Sequence, residues 1–84
     1  MYYNNYIAMD VEYIKEKIES SIPETKADVK GDGVHFEAVI ISPIFEGKST
    51  LERHKIIYSV LGSDMGEDIH ALSMKTLSPK ELDT

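Results

Sequence analysis

The sequence predicts an α+β domain: a three-stranded mixed sheet, helices packed on one face of it, and a short helical turn at the C-terminus. Three observations carry that reading. Val11, Ile14 and Ile18, and later Ile57 and Leu61, recur at helical spacing. Residues 34–42 alternate with period two, and a Gly31-Asp32-Gly33 turn joins them to a shorter alternating run, the form of a hairpin. A third apolar run, residues 69–76, follows the second helix. A strand reached through a helical crossover can lie parallel to one of the first two.

Eighty-four residues make one small domain, here residues 10–84, preceded by residues 1–9 as a tail or extra turn. The apolar share of 42% is that of a folded chain, and the net charge is −6. An acidic domain is a poor electrostatic match for a polyanion, although a local basic patch can persist within it. There is no cysteine, so no disulfide framework is possible. A metal or cluster would need His, Asp, Glu or a ligand from another molecule. The start Met1-Tyr2-Tyr3-Asn4-Asn5-Tyr6 lacks the basic and apolar character of a signal peptide, and no apolar run approaches membrane-spanning length. The expectation is a soluble cytoplasmic protein with no membrane association.

Taken in order, Asp10 is a good N-cap for the first helix, with Met9 placed to staple onto Ile14. Glu12, Lys15, Glu16, Lys17 and Glu19 take the opposite face from Ile14 and Ile18. Ser20-Ser21 and Pro23 end the helix, because a residue before proline avoids the helical region. A strand over residues 25–30 leads to the Gly-Asp-Gly turn. In the strand over 34–42, Val34, Phe36, Ala38 and Ile40 face one side, and His35, Glu37, Val39 and Ile41 the other. Its far end is apolar on both faces, which predicts a central or covered strand. Pro43 and Gly47 bracket a loop, and Ser49-Thr50-Leu51-Glu52 has the capping-box form. At 100° per residue, Ile57, Leu61, His54, Tyr58 and Leu51 fall within about 120° of arc. That predicts a buried stripe with His54 in its middle and Arg53 and Lys55 exposed beside it. Gly62 and Gly66 end the helix near Met65. Ser78-Pro79-Lys80-Glu81 repeats the capping logic, with proline at the first helical position.

Catalytic patterns are absent from the sequence. It has no cysteine nucleophile and no His-Glu-x-x-His motif, and Gly31-Asp32-Gly33 lacks the lysine and spacing of a phosphate loop. A non-enzymatic protein is expected.

Five pieces in order carry a resemblance: Val34-His35-Phe36; Ile41-Ser42-Pro43-Ile44-Phe45-Glu46-Gly47; Arg53-His54-Lys55-Ile56-Ile57-Tyr58; Ile69-His70-Ala71-Leu72; and Thr76-Leu77-Ser78-Pro79-Lys80-Glu81. Together they resemble the BolA family over about residues 10–82, and the Gly31-Asp32-Gly33-x-His35 loop is most similar to its short bacterial members. The resemblance implies a class II KH-like fold, α-β-β-α-α-β. It implies partnership with a monothiol glutaredoxin and a [2Fe-2S] cluster shared with that protein and glutathione, with no cofactor when the chain is alone. The chain alone is then expected as a monomer or weak homodimer. The family's common ligand matches His70, and a second comes from the loop between the first two strands. Where some relatives have cysteine, this chain has Asp32, with His35 three residues on. The second ligand is Asp32, His35 or nothing from this chain.

The resemblance also implies possible DNA binding, with Arg53, His54 and Lys55 on the helix as candidates for a partner or nucleic acid. The family's Arg-His-Arg is here Arg53-His54-Lys55, which keeps charge but loses a planar fork. Gly62-Ser63-Asp64-Met65-Gly66 has the wrong spacing for the Gly-x-x-Gly clamp of RNA-binding KH domains and carries an acid.

Overall fold

A computed structural model describes residues 10–32, 35–65 and 71–83. The sequence expectations for the tail 1–9, the Met9 staple, Gly33, Val34, Gly66, Ile69 and His70 lie outside them.

Helix α1, Val11–Ser21, starts where Asp10 accepts the Glu12 amide on its side chain and buries Ile14 and Ile18. Strands β1, Lys26–Gly31, and β2, His35–Ile41, pair antiparallel, with Lys26 opposite Ile41 and Gly31 opposite Phe36. A 3-10 turn, Pro43–Phe45, is capped by Ser42. Helix α2, Thr50–Leu61, opens on the expected capping box: the Ser49 hydroxyl accepts the Glu52 amide, and the Glu52 carboxylate accepts the Ser49 amide. Strand β3, Ala71–Leu77, lies parallel to β2, from His35 opposite Ala71 to Ile41 opposite Leu77. The sheet order β1-β2-β3 places β2 in the centre. Pro79–Asp83 form the closing 3-10 turn. Among the described residues, no helix is long and apolar enough to cross a membrane.

Two differences from expectation concern α2. It stops at Leu61 rather than near Met65, because Gly62 turns the chain at a φ of 57°, which glycine adopts without steric cost. The place of the second consecutive helix is taken, among the described residues, by a 3-10 turn over Gly62–Asp64. Lys17 pairs with Asp64 at 2.9 Å, and the Tyr13 hydroxyl donates to the same carboxylate at 3.2 Å, tying that turn to α1.

The second difference is the face that α2 buries. Ile57 and Leu61 are buried as expected, but the third member of the row is Arg53, at 8% exposure. Ile56 and Val60 are partly buried against the core beside them. Leu51 is 65% exposed, Tyr58 42%, and His54 lies half-buried at the margin. The buried arc is therefore turned away from Leu51 and toward Arg53. Arg53 can sit there because all three of its nitrogens are bonded. Nε donates to the Lys48 carbonyl at 2.9 Å, Nη1 to the Thr76 carbonyl at 3.0 Å, and Nη1 and Nη2 to the two Glu81 oxygens at 2.8 and 3.1 Å. The guanidinium also stands over the Phe45 ring, 5.7 Å from its centre.

The core lies between the helices and one sheet face: Ile14, Ile18 and Ile22, then Ala27, Phe36, Ala38 and Ile40, then Phe45, Ile57 and Leu61. Each large apolar side chain so buried contributes about 1.5–3 kcal/mol. The other sheet face is open, with His35, Glu37 and Val39 exposed along β2, and Ala71, Ser73 and Lys75 along β3. Side chains from the helices hold the sheet's outer edges. On β1, the Glu19 carboxylate accepts the Ala27 amide at 2.9 Å, and Lys15 donates to the Ala27 carbonyl at 3.3 Å. On β3, Arg53 takes the Thr76 carbonyl. Side-chain bonds of this kind blunt an edge against pairing with another chain.

Candidate functional site

The site is built at the end of the sheet where β1 turns into β2. Gly31 ends β1 because nothing larger fits: a Cβ there would stand 2.7 Å from the His35 carbonyl oxygen and against the Phe36 ring. The chain crosses back at once. The Asp32 amide donates to the His35 carbonyl at 3.2 Å, and the His35 amide donates to Asp32 Oδ1 at 2.8 Å. Asp32 thus performs the local backbone bonding that suits aspartate to turns. Its second oxygen lies 3.7 Å from His35 Nδ1.

His35 is the first residue of β2. The alternation that buries Phe36, Ala38 and Ile40 sends its ring to the open face, where the side chain is 72% exposed. An open cleft of about 410 Å³ lies there, lined by Lys30, Asp32, His35, Glu37, Ala71 and Ser73 among others. The β2–β3 register sets Ala71 opposite His35. The expected ligand His70 lies outside the described residues, but the residue that follows it in the chain is thus His35's partner across the sheet. Among the described residues, no group of three or more His, Cys, Asp and Glu could hold a metal ion.

The residues expected to act on the helix separate. Arg53 is buried and bonded internally, and it holds the Glu81 carboxyl at about 2, well below the ordinary carboxylate range, with help from the Ser78 amide. Lys55 is exposed. His54 packs edge-on against Tyr58, ring centres 6.4 Å apart. Neither His54 nor Lys55 is among the residues lining the cleft. Lys30 and Ser73 also line the cleft and are not evident from the sequence. Strand alternation alone places Lys30 with Asp28 and Ser73 with Lys75, and only the register sets both opposite Glu37, the next residue after His35 on the open face of β2.

A small mixed sheet with two helices on one face, and a histidine exposed at the head of its central strand, define the class as a compact α+β domain. Comparison with known proteins identifies the class. The family described as BolA-like protein matches residues 8–81, and the chain belongs to that family. A solved bolA homologue from Coxiella burnetii is similar over 90% of this chain and 99% of its own, at 45% identity and a TM-score of 0.82. The BolA domain of SufE1 from Arabidopsis thaliana is 32% identical over 83% of this chain and 92% of that domain, with a TM-score of 0.74. The Escherichia coli protein named DNA-binding transcriptional regulator BolA is 32% identical over 71 residues, 84% of this chain. The chain spans 62% of that relative's length, and 37% and 24% of two further curated relatives.

Proposed function

We propose that this protein is a non-enzymatic adaptor in iron–sulfur cluster handling, pairing with a monothiol glutaredoxin and sharing a [2Fe-2S] cluster with it and with glutathione. The single observation that carries the reading is the exposed His35 at the head of β2, opposite Ala71, the neighbour of His70. Family membership supplies the rest of the expectation. Neutral imidazole is a good ligand for iron, and a hard carboxylate is a less natural one, so His35 and His70 suit the cluster better than Asp32. Imidazole donors from this chain fit a cluster whose remaining ligands come from the partner. The cluster is cargo passed through the pair, and this chain's part is to offer imidazole and an accessible face.

The test is to mix the protein with cluster-loaded monothiol glutaredoxin and record visible absorption and circular dichroism alongside size. A changed spectrum and a heterodimer are expected, with His70→Ala and His35→Ala each weakening the change. No heterodimer and an unchanged spectrum would end the reading.

The name of the Escherichia coli relative favours a second reading, DNA binding through α2. Lys48 and Lys55 lie close enough to Glu52 to help lower its carboxyl below the ordinary range, behind the larger effect of its bonds to Ser49. They are the exposed cations there, since Arg53 is engaged internally. Duplex binding that weakens steeply with salt would support this reading, and no binding at low salt would remove it.

A further inference from the structure

We infer that the open face of the sheet is a self-complementary docking surface for a second copy of this chain, in which the two β2 strands lie face to face and Asp28 of each copy meets Lys75 of the other. The surface needs nothing from the cluster-sharing reading above, since no donor atom of His35 enters into it.

The strand register fixes what the face presents. Lys26, Ile41 and Leu77 form one row across it, Asp28, Val39 and Lys75 the next, and Lys30, Glu37 and Ser73 a third. Val39 is 39% exposed at the centre, Ile41 and Leu77 are half-buried in the adjoining row, and the charged side chains are exposed. An apolar centre with a polar rim is the anatomy of an interface. The three lysines and two acids of these rows nearly cancel. Like copies can therefore approach here with little repulsion, although the chain as a whole carries −6. The helices cover the opposite face, and Glu19, Lys15 and Arg53 bond the outer edges, so a second sheet is directed to this face.

A two-fold axis relating the copies can run across β2 or along it. Across β2 at Val39, it sets Asp28 on Asp28, Lys75 on Lys75, Lys26 on Lys30 and Ile41 on Glu37. Like charges then meet, and an apolar side chain faces a carboxylate. Along β2, it sets Val39 on Val39 and Ile41 on Ile41, and both Asp28 and Lys75 contacts become ion pairs. Glu37 then faces its own copy, with Lys30 of the second copy diagonal to it. Only the second arrangement is complementary, and it is the aligned packing of sheets, about 10 Å apart and within about 30°. Within one chain, β2 stands between Asp28 and Lys75 and keeps their strands about 9–10 Å apart. The pair therefore forms between copies. Three strands of six or seven residues are small beside the ~800 Å² per partner of a standard interface, so the dimer is weak and concentration-dependent.

The experiment is analytical sedimentation of the full chain over a concentration series, with charge-swapped variants. The wild type is expected to dimerise by about 1 mM. Asp28→Lys and Lys75→Asp should each raise the dissociation constant at least about 10-fold, because each places two like-charged contacts in its own dimer. Mixing the two variants makes both contacts opposite again, and the mixed dimer should form within about threefold of wild-type affinity. Recovery on mixing is a readout that a misfolded variant cannot give. A wild type that stays monomeric at about 1 mM would overturn the docking surface, and so would a dimer that ignores the swaps or is not restored by mixing. Val39 methyl shifts that respond to added monothiol glutaredoxin, but not to the concentration of this chain, would also overturn it and assign the face to that partner instead.

Discussion

Arg53 and Glu81 form a two-pronged pair, Nη1 to Oε1 at 2.8 Å and Nη2 to Oε2 at 3.1 Å, and through it α2 grips both the end of β3 and the C-terminal turn. The pair is a structural clasp made from a residue of the family signature. It removes the most prominent cation of α2 from the surface.

Arg53→Ala should destabilise the fold by about 1–3 kcal/mol, because the buried Thr76 carbonyl and the Lys48 carbonyl lose their donor. Arg53→Lys should recover only part of this, since an ammonium cannot bond three directions in one plane. Urea unfolding of the three proteins measures it, and full recovery by lysine would show that charge alone matters.

The clasp should make stability depend on pH below neutrality. Glu81 titrates at about 2 in the folded protein, against an ordinary value of 4.5, because it is bonded to Arg53 and the Ser78 amide. A carboxyl lowered on folding stabilises the fold fully above its unfolded value and loses that contribution as pH falls toward the folded one. The melting-temperature difference between wild type and Glu81→Gln should therefore be constant above about pH 5.5 and shrink progressively toward pH 2. A difference that does not change across that range would contradict the assignment.

On the opposite edge, Glu19→Ala should free the Ala27 amide, which donates to that carboxylate at 2.9 Å. Hydrogen exchange at Ala27 should accelerate, with a loss of about 1 kcal/mol in global stability. Unchanged exchange would mean that α1 packing protects this edge without the carboxylate.

Gly31→Ala should disturb the site selectively. The added Cβ meets the His35 carbonyl oxygen at 2.7 Å, too close for backbone to tolerate without moving. Amide shifts at Asp32, His35 and Phe36 should change most, and the spectral response to a loaded glutaredoxin should fall. Shifts confined to Gly31 and its chain neighbours would show that the hairpin end absorbs the methyl.

These relationships were legible in the sequence to different depths. Local chemistry announces Asp10 as a cap, the capping box at Ser49 and Glu52, and the hairpin around Asp32, and each formed; the helical crossover allows a third strand parallel to one of the first two, and β3 lies parallel to β2. The burial of Arg53 was hidden, because a helical arginine reads as a surface residue until its acceptors are known. Those acceptors, Thr76 and Glu81, lie 23 and 28 residues away in the chain. With Arg53 assigned to solvent, the apolar arc falls over Leu51 and Tyr58, which the structure exposes. At the site, alternation was enough to send His35 outward. Its alignment with Ala71 needed the β2–β3 register, which no local pattern encodes.

In the cluster-sharing proposal, histidine nitrogen from this chain binds a cluster held jointly with a monothiol glutaredoxin. Pulsed electron paramagnetic resonance of the reduced mixed complex, with only this chain carrying ¹⁵N-histidine, reads that bond. ¹⁵N couplings to the cluster that diminish in His35→Ala and in His70→Ala are expected. A spectrum indifferent to the label, from a heterodimer shown to carry the cluster, would contradict it.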